Sequence, residues 1–229
     1  MLNHSTPNES FAQYVIFARS NIAVTEQLVK FFLVFFVVVD PISLIPLFAG
    51  LTQGASSRYK KNMAAKATAI ALVICVLFAL VGARFLEIMG ISLNAFRIAG
   101  GTLLFLIALD MVFARPSGTR STSSEREEAK KREDISVFPL AFPFIAGPGA
   151  LATILLTAGE VASNALLFAG FLGVVALVLI TCWVLMLATS RLMKVLGVTG
   201  ANVTSRLSGV ILAALAVQFI IDGIHGSFL

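Results

Sequence analysis

The sequence predicts an all-α polytopic membrane protein: six transmembrane helices in two inverted-topology three-helix repeats, with helices 1 and 4 discontinuous. Three observations carry this. The chain of 229 residues is 58% hydrophobic and only 13% charged, with a mean hydropathy of +0.95, a composition no ordinary soluble domain has. Six apolar stretches of bilayer-crossing length use up the chain and leave no separate soluble domain. Proline and glycine interrupt the first and the fourth of them near the middle, at positions that a sequence offset superimposes.

Residues 1–27 open with MLNHSTPNES, which lacks the basic region of a secretory signal, so the first span is expected to direct insertion. The mixed segment near Phe11–Arg19 is too short to cross and is either a weak interfacial helix or an irregular terminus. Span 1 is Leu28–Phe48, 21 residues and about one bilayer crossing, with Asp40-Pro41 at its middle and Pro46 beyond. After a basic loop, Gly50–Met63, span 2 runs over Ala64–Val81; a second loop, Gly82–Ala95, leads to span 3, Phe96–Phe113. The segment from Arg115 to Asp134 mixes both charges and is expected to be solvated, its early part disordered. Span 4 is Ser136–Thr157, span 5 Asn164–Ala188 and span 6 Ser205–Ile221.

Thirteen of the 17 Lys and Arg residues fall in or beside the odd-numbered loops. The positive-inside rule then puts those loops in the cytoplasm and both termini outside. The chain divides accordingly into an extracytoplasmic N-terminal segment (1–27), a first repeat (28–114), a charged cytoplasmic loop (115–135), a second repeat (136–224) and a short extracytoplasmic tail (225–229). Each half of spans 1 and 4 is about 11 residues, too short to cross alone, so re-entrant hairpins are the competing topology. The formal charge of +5 reads as this topology signal; no basic patch interleaved with aromatics suggests nucleic acid.

The repeat appears when the chain is slid on itself. At an offset of 107, Pro41 falls on Pro148 and Met89-Gly90-Ile91-Ser92 on Leu196-Gly197-Val198-Thr199. At 109, Arg97 and the small residues after it fall on Arg206-Leu207-Ser208-Gly209. Three is an odd number of spans, so the second copy enters the membrane from the opposite face, the plan of many secondary transporters.

The interruptions are where function is expected. Asp40 can bind an ammonium group or Na⁺ or take up a proton; the competing reading is a helix cap at a restart where Pro41 is welcome. FPLAFPFIAGPGA crowds Pro139, Pro143, Gly147, Pro148 and Gly149 into eleven residues, which no continuous α-helix accommodates. Helix N-termini exposed there favour a carboxylate and C-terminal carbonyls a cation, so a zwitterion suits both; a tightly packed structural kink accounts for the same residues. Ser43 and Thr153 supply hydroxyls at the two breaks, unless each bonds back to the preceding turn. Gln218 is the deepest polar residue of span 6 and a candidate path-lining group, with Asp110 and Asp222 interfacial. Arg97 and Arg206 open equivalent helices and read as gating or bracing contacts, or as snorkelling side chains. Cys75 and Cys182 sit within apolar spans as small hydrophobes. His4 and His225 have no ligand spacing, so no metal, cofactor or enzyme chemistry is expected.

At DPISLIPLF, GISLNAFRIAGG, FPLAFPFIAGPGA, SRLSG and AVQFIIDGI the chain resembles the MarC family of inner-membrane proteins, over nearly all of residues 28–224. Members often have Asn where this chain has Asp40. The resemblance implies transport of small neutral amino acids such as alanine and glycine across the inner membrane, with H⁺ or Na⁺ as coupling ion. A homo-oligomer is compatible with it, and no nucleic-acid partner is. The rival readings are a non-transporting scaffold or accessory subunit and an exporter of another small metabolite.

Overall fold

The structure, a computed structural model, describes residues 24–113 and 134–228. The expected interfacial segment and nearly all of the charged loop lie outside them. Every described element is helical. Helix α1 spans residues 24–39, α2 Leu44–Leu51, α3 Ser57–Ile88 and α4 Leu93–Phe113. An irregular, widely wound segment, Ser136–Ile145, precedes α5, Pro148–Val161. Helices α6, Ala165–Val195, and α7, Asn202–Phe228, complete the chain.

Short polar side chains set the helix starts. Ser56 Oγ accepts from Tyr59 N at 3.2 Å before α3, and Ser92 Oγ from Ala95 N at 3.1 Å before α4. Asn164 Oδ1 accepts from Leu166 N and Leu167 N at 3.1 Å each before α6. Each satisfies N–H groups that a helix start leaves without intrahelical partners. Left-handed glycines mark the turns before the third helix of each half: Gly90 has φ 70° and Gly197 φ 61°, where a Cβ would be strained.

Several expected boundaries are too short. Span 2 was expected to stop at Val81, but α3 continues through Gly82 to Ile88, leaving only a tight turn where a loop over Gly82–Ala95 was expected. Gly82 is packed beneath Leu155 rather than breaking the helix, and Arg84 and Glu87 pair at 2.8 Å along its exposed face. At 32 residues, α3 is about 48 Å long, so its ends reach beyond the hydrocarbon. Helix α6 likewise continues past Ala188 to Val195, and α7 extends to Phe228, absorbing the expected tail.

Five helical spans, counting α1 and α2 as one of 28 residues, are long and apolar enough to cross a membrane; the irregular segment and α5, bent by 58° at their junction, make a sixth if the pair is one span. Their packing is that of a chain without a polar exterior. On α3 the buried stripe is small, Ala64, Ala67, Ala71, Cys75, Ala79 and Gly82, while Val73, Leu77, Leu80 and Phe85 face outward. Small residues inside and large apolar ones outside suit lipid, where close approach of helices drives association.

The closest approach is between α4 and α7. A Cβ on Gly101 would lie 2.8 Å from Ala216 O, one on Gly209 3.1 Å from Ala108 O and one on Gly223 2.9 Å from Asn94 O. The helices are therefore antiparallel, the start of α4 beside the end of α7, where Asn94 Nδ2 also donates to Gly226 O. Helix α1 meets α6 through Phe31 and Phe171, ring centroids 4.7 Å apart, and through Leu28 against Gly170. Helix α3 packs in turn on the irregular segment and α5.

Both broken spans traverse the bundle. Asp134, just before the irregular segment, pairs with Lys66 near the start of α3, whereas Glu160, at the end of α5, pairs with Arg97 at the start of α4. Since α3 separates those two places, the segment and α5 run from one end to the other. The first broken span starts beside Gly170, near the start of α6, and ends at the turn into α3, so it also runs end to end. By length and composition the described helices make five membrane spans, or six with the bent pair taken as one span.

Candidate functional site

The first break is built by a left-handed residue and a turn. Asp40 N donates to Phe36 O at 3.0 Å, closing α1, and Asp40 then takes φ 52°. Aspartate and asparagine tolerate this conformation better than other side chains with a Cβ. Ser43 N donates back to Asp40 O at 3.2 Å, a turn whose second position is Pro41, where a fixed φ is favoured. The expected restart at Pro41 is corrected by this geometry: Asp40 ends α1 instead of capping the next helix, and α2 begins at Leu44 with Ser43 before it. Pro46 lies in the first turn of α2, where its missing N–H leaves no intrahelical bond unmade. Asp40 is 3% exposed. Ser43 Oγ is buried with no hydrogen-bond partner among the described residues.

The second break has a different cause. Phe138 and Phe142 both adopt extended geometry, φ/ψ −126°/124° and −131°/131°, because a following proline disfavours the helical region. With two such dipeptides four residues apart, the chain winds wide: Leu140 N donates to Ile135 O at 3.3 Å and Ala146 N to Ala141 O at 2.8 Å, each five residues back. At Gly147 a Cβ would collide with Pro143 O, so only glycine passes there. Pro148 then opens α5, a position that suits it. Thr153 Oγ1 donates to Gly149 O at 2.9 Å, the back-bonded alternative anticipated for it.

The end of α1 meets the second break. A Cβ on Gly149 would lie 2.7 Å from Leu104 Cδ2, 3.2 Å from Ile107 Cδ1 and 3.4 Å from Val38 Cγ1, and Val38 is two residues before Asp40. A small cavity of about 10 Å³, room for roughly one water, lies here, lined by Val38, Ile107, Pro143, Gly147, Gly149 and Ala150 among others. The first turn of α5 borders it, and the N-terminal N–H groups and positive end of a helix favour an anionic group. The Cys182 thiol lies within electrostatic reach of both Asp40 and Cys75. Both thiols are buried and unbridged, and among the described residues no three metal-ligating groups are gathered for a metal ion.

Other candidates stand apart from this cluster. Gln218 is exposed on α7 and donates to Asp222 Oδ1 at 2.7 Å, away from the cavity lining. Arg97 and Arg206 are not alike: Arg97 is mostly buried and meets Glu160 Oε1 at 2.5 Å, whereas Arg206 is exposed. Glu160 and Asp134 were not singled out in the sequence. Their signal, an acid at each end of span 4, is visible there, but their partners are 63 and 68 residues away. Asp134, outside the spans, accepts from Ser136 Oγ at 2.5 Å, from Ser136 N at 2.9 Å and from Lys66 Nζ at 3.0 Å. These bonds, those from Ser136 foremost, hold its carboxyl down at about 2.

Residues 25–228 match the family described as MarC family integral membrane protein. The chain is 38% identical over 201 residues to UPF0056 membrane protein YhcE of Escherichia coli, covering 87% of this chain and 92% of that one. With UPF0056 membrane protein YvbG of Bacillus subtilis the identity is 36% over 205 residues, 88% and 95% of the two chains. With MJ1677 of Methanocaldococcus jannaschii it is 36% over 194 residues, 85% and 94%. No solved structure matches.

Proposed function

Because this chain belongs to the MarC family of integral membrane proteins, we propose that it is a secondary transporter of small neutral amino acids such as alanine and glycine. It acts across the inner membrane and is coupled to H⁺ or Na⁺. The observation that carries the reading is the approach of the end of α1, at Val38, to the second chain break at Gly149, inside a multi-span bundle. Irregular backbone at such depth is tolerated only where protein or a water-filled cavity surrounds it. The first turn of α5 offers N–H groups to a carboxylate, and Asp40 offers a negative charge to an ammonium group or coupling ion.

The inverted repeat is part of this proposal, and three features support it. Gly90 and Gly197, 107 residues apart, are both left-handed at the turn into a third helix. Helix α1 packs on α6 while its counterpart, the irregular segment with α5, packs on α3. In the α4–α7 contact, Gly101 faces Ala216 and Ile220 while Gly209 faces Ala108 and Met111; an offset of 109 carries one set nearly onto the other. The positive-inside orientation, with both termini extracytoplasmic, completes the proposal.

Purified protein in liposomes is expected to accumulate labelled alanine or glycine under an imposed proton or Na⁺ gradient and to show counterflow. Absence of both across a panel of small neutral amino acids, in protein shown to be folded, overturns the amino-acid assignment and leaves the scaffold reading standing.

A further inference from the structure

Of the ion pairs between described residues, Arg84–Glu87 lies within α3, and the two that join separate elements both hold the second broken span. Lys66–Asp134, at 3.0 Å, ties its beginning to α3; Arg97–Glu160, at 2.5 Å, ties its end to α4. These contacts are at opposite ends of the bundle. Between them lie the 58° bend and the cavity. We infer that these pairs are two side-specific gates, and that alternating access proceeds by releasing one end of the irregular segment and α5 at a time.

The packing says what stays still. Helices α4 and α7, the third helices of the two halves, touch so closely that a Cβ at Gly101, Gly209 or Gly223 would reach backbone atoms of the other helix. Rocking one half as a body against the other must pull that seam apart. The second broken span meets its neighbours differently: Gly100 and Gly82 approach side chains alone, those of Ala152, Leu156 and Leu155, and its end contacts are partly exposed. Side-chain exposure is 58% and 47% for Lys66 and Asp134, and 16% and 56% for Arg97 and Glu160, so each pair has at least one exposed partner. Ion pairs of this kind are weakly held, as a gate that opens in every cycle requires.

The inference deepens the transport reading of the same cavity, but its test needs no known substrate. Ala150 lines the cavity and is 3% exposed. Ala150→Cys, with Cys75→Ala and Cys182→Ala, provides one thiol for a membrane-impermeant maleimide, applied separately to each membrane face. Adding Glu160→Gln is expected to raise labelling several-fold from the Arg97 face alone, and Asp134→Asn from the Lys66 face alone. The swapped pair Arg97→Glu/Glu160→Arg is expected to return labelling to the parent rate, a rescue that a merely unfolded variant cannot show. Equal increases from both faces, or unchanged labelling from both in variants with parental elution profiles, overturn the inference. Side-specific labelling without amino-acid flux keeps the gates and discards the substrate.

Discussion

At the scale of the residue, Asp40 carries two separable demands. Its φ of 52° asks for a side chain that tolerates the left-handed region, a conformation costing other L-residues roughly 1–2 kcal/mol. Its burial asks what the charge is for. Asp40→Asn meets the first demand and removes the second, so it is expected to fold and melt like the parent while flux changes its pH or ion dependence. Unchanged flux and coupling in that variant remove the carboxylate from the mechanism. Gly147 has no such freedom: Gly147→Ala sets a Cβ against Pro143 O and is expected to cost about 1–3 kcal/mol, read as a lowered Tm or loss of folded protein. Both positions were legible as interruptions, because proline and glycine announce themselves. The role of Asp40 was not, since ending α1 and capping α2 differ by a turn that only the backbone reveals. Gln218 misled for another reason: hydropathy ranks depth along a helix but is blind to which face points outward.

At the scale of the element, helix existence was readable from apolar runs, and helix ends were not. A bilayer-length window stops where charge resumes, but α3 carries Arg84 and Glu87 on an exposed turn and continues. Gly82 suggested a loop and proved to be a packing residue. The same distinction separates glycines that look alike in the sequence. Gly101→Ala is expected to lower Tm by an amount equivalent to about 1–3 kcal/mol, since its Cβ would lie 2.8 Å from Ala216 O. Gly173→Ala, on a helix with nothing within 4 Å of the added carbon, is expected to hold or raise Tm, by up to about 1 kcal/mol of helix propensity. Equal melting of the two variants would mean that the α4–α7 seam is looser than described.

At the scale of the whole molecule, Asp134, bonded first by Ser136 and then by Lys66 of the first half of the chain, gives stability a pH dependence of definite sign. The folded carboxyl sits near 2 against an ordinary 3.8. Its contribution is therefore complete above the ordinary value and is lost as pH falls towards the folded one. Asp134→Asn is expected to melt below the parent at neutral pH, with the difference closing between about pH 4 and 2; a constant difference across that window contradicts the assignment. An all-helical chain of five or six apolar spans, interrupted at Asp40-Pro41 and at Gly147-Pro148, was legible at this scale, because apolar runs and prolines are visible in the sequence itself. The pairing of α4 with α7, and of each broken span with the second helix of the other half, was not, because it depends on contacts between residues far apart in the chain.

The α4–α7 seam reaches further than packing. On the duplicated reading, each half presents on its third helix both the glycine and the surface that receives it, so the junction is self-complementary in the manner of a twofold dimer interface. One half-length chain inserted in both orientations would find its own partner. The joined chain then looks like the fused descendant of an antiparallel pair, freed by fusion to let its halves diverge. An acid at position 40, where the matching position of the second half is Gly147, is the kind of difference that two identical copies could never hold.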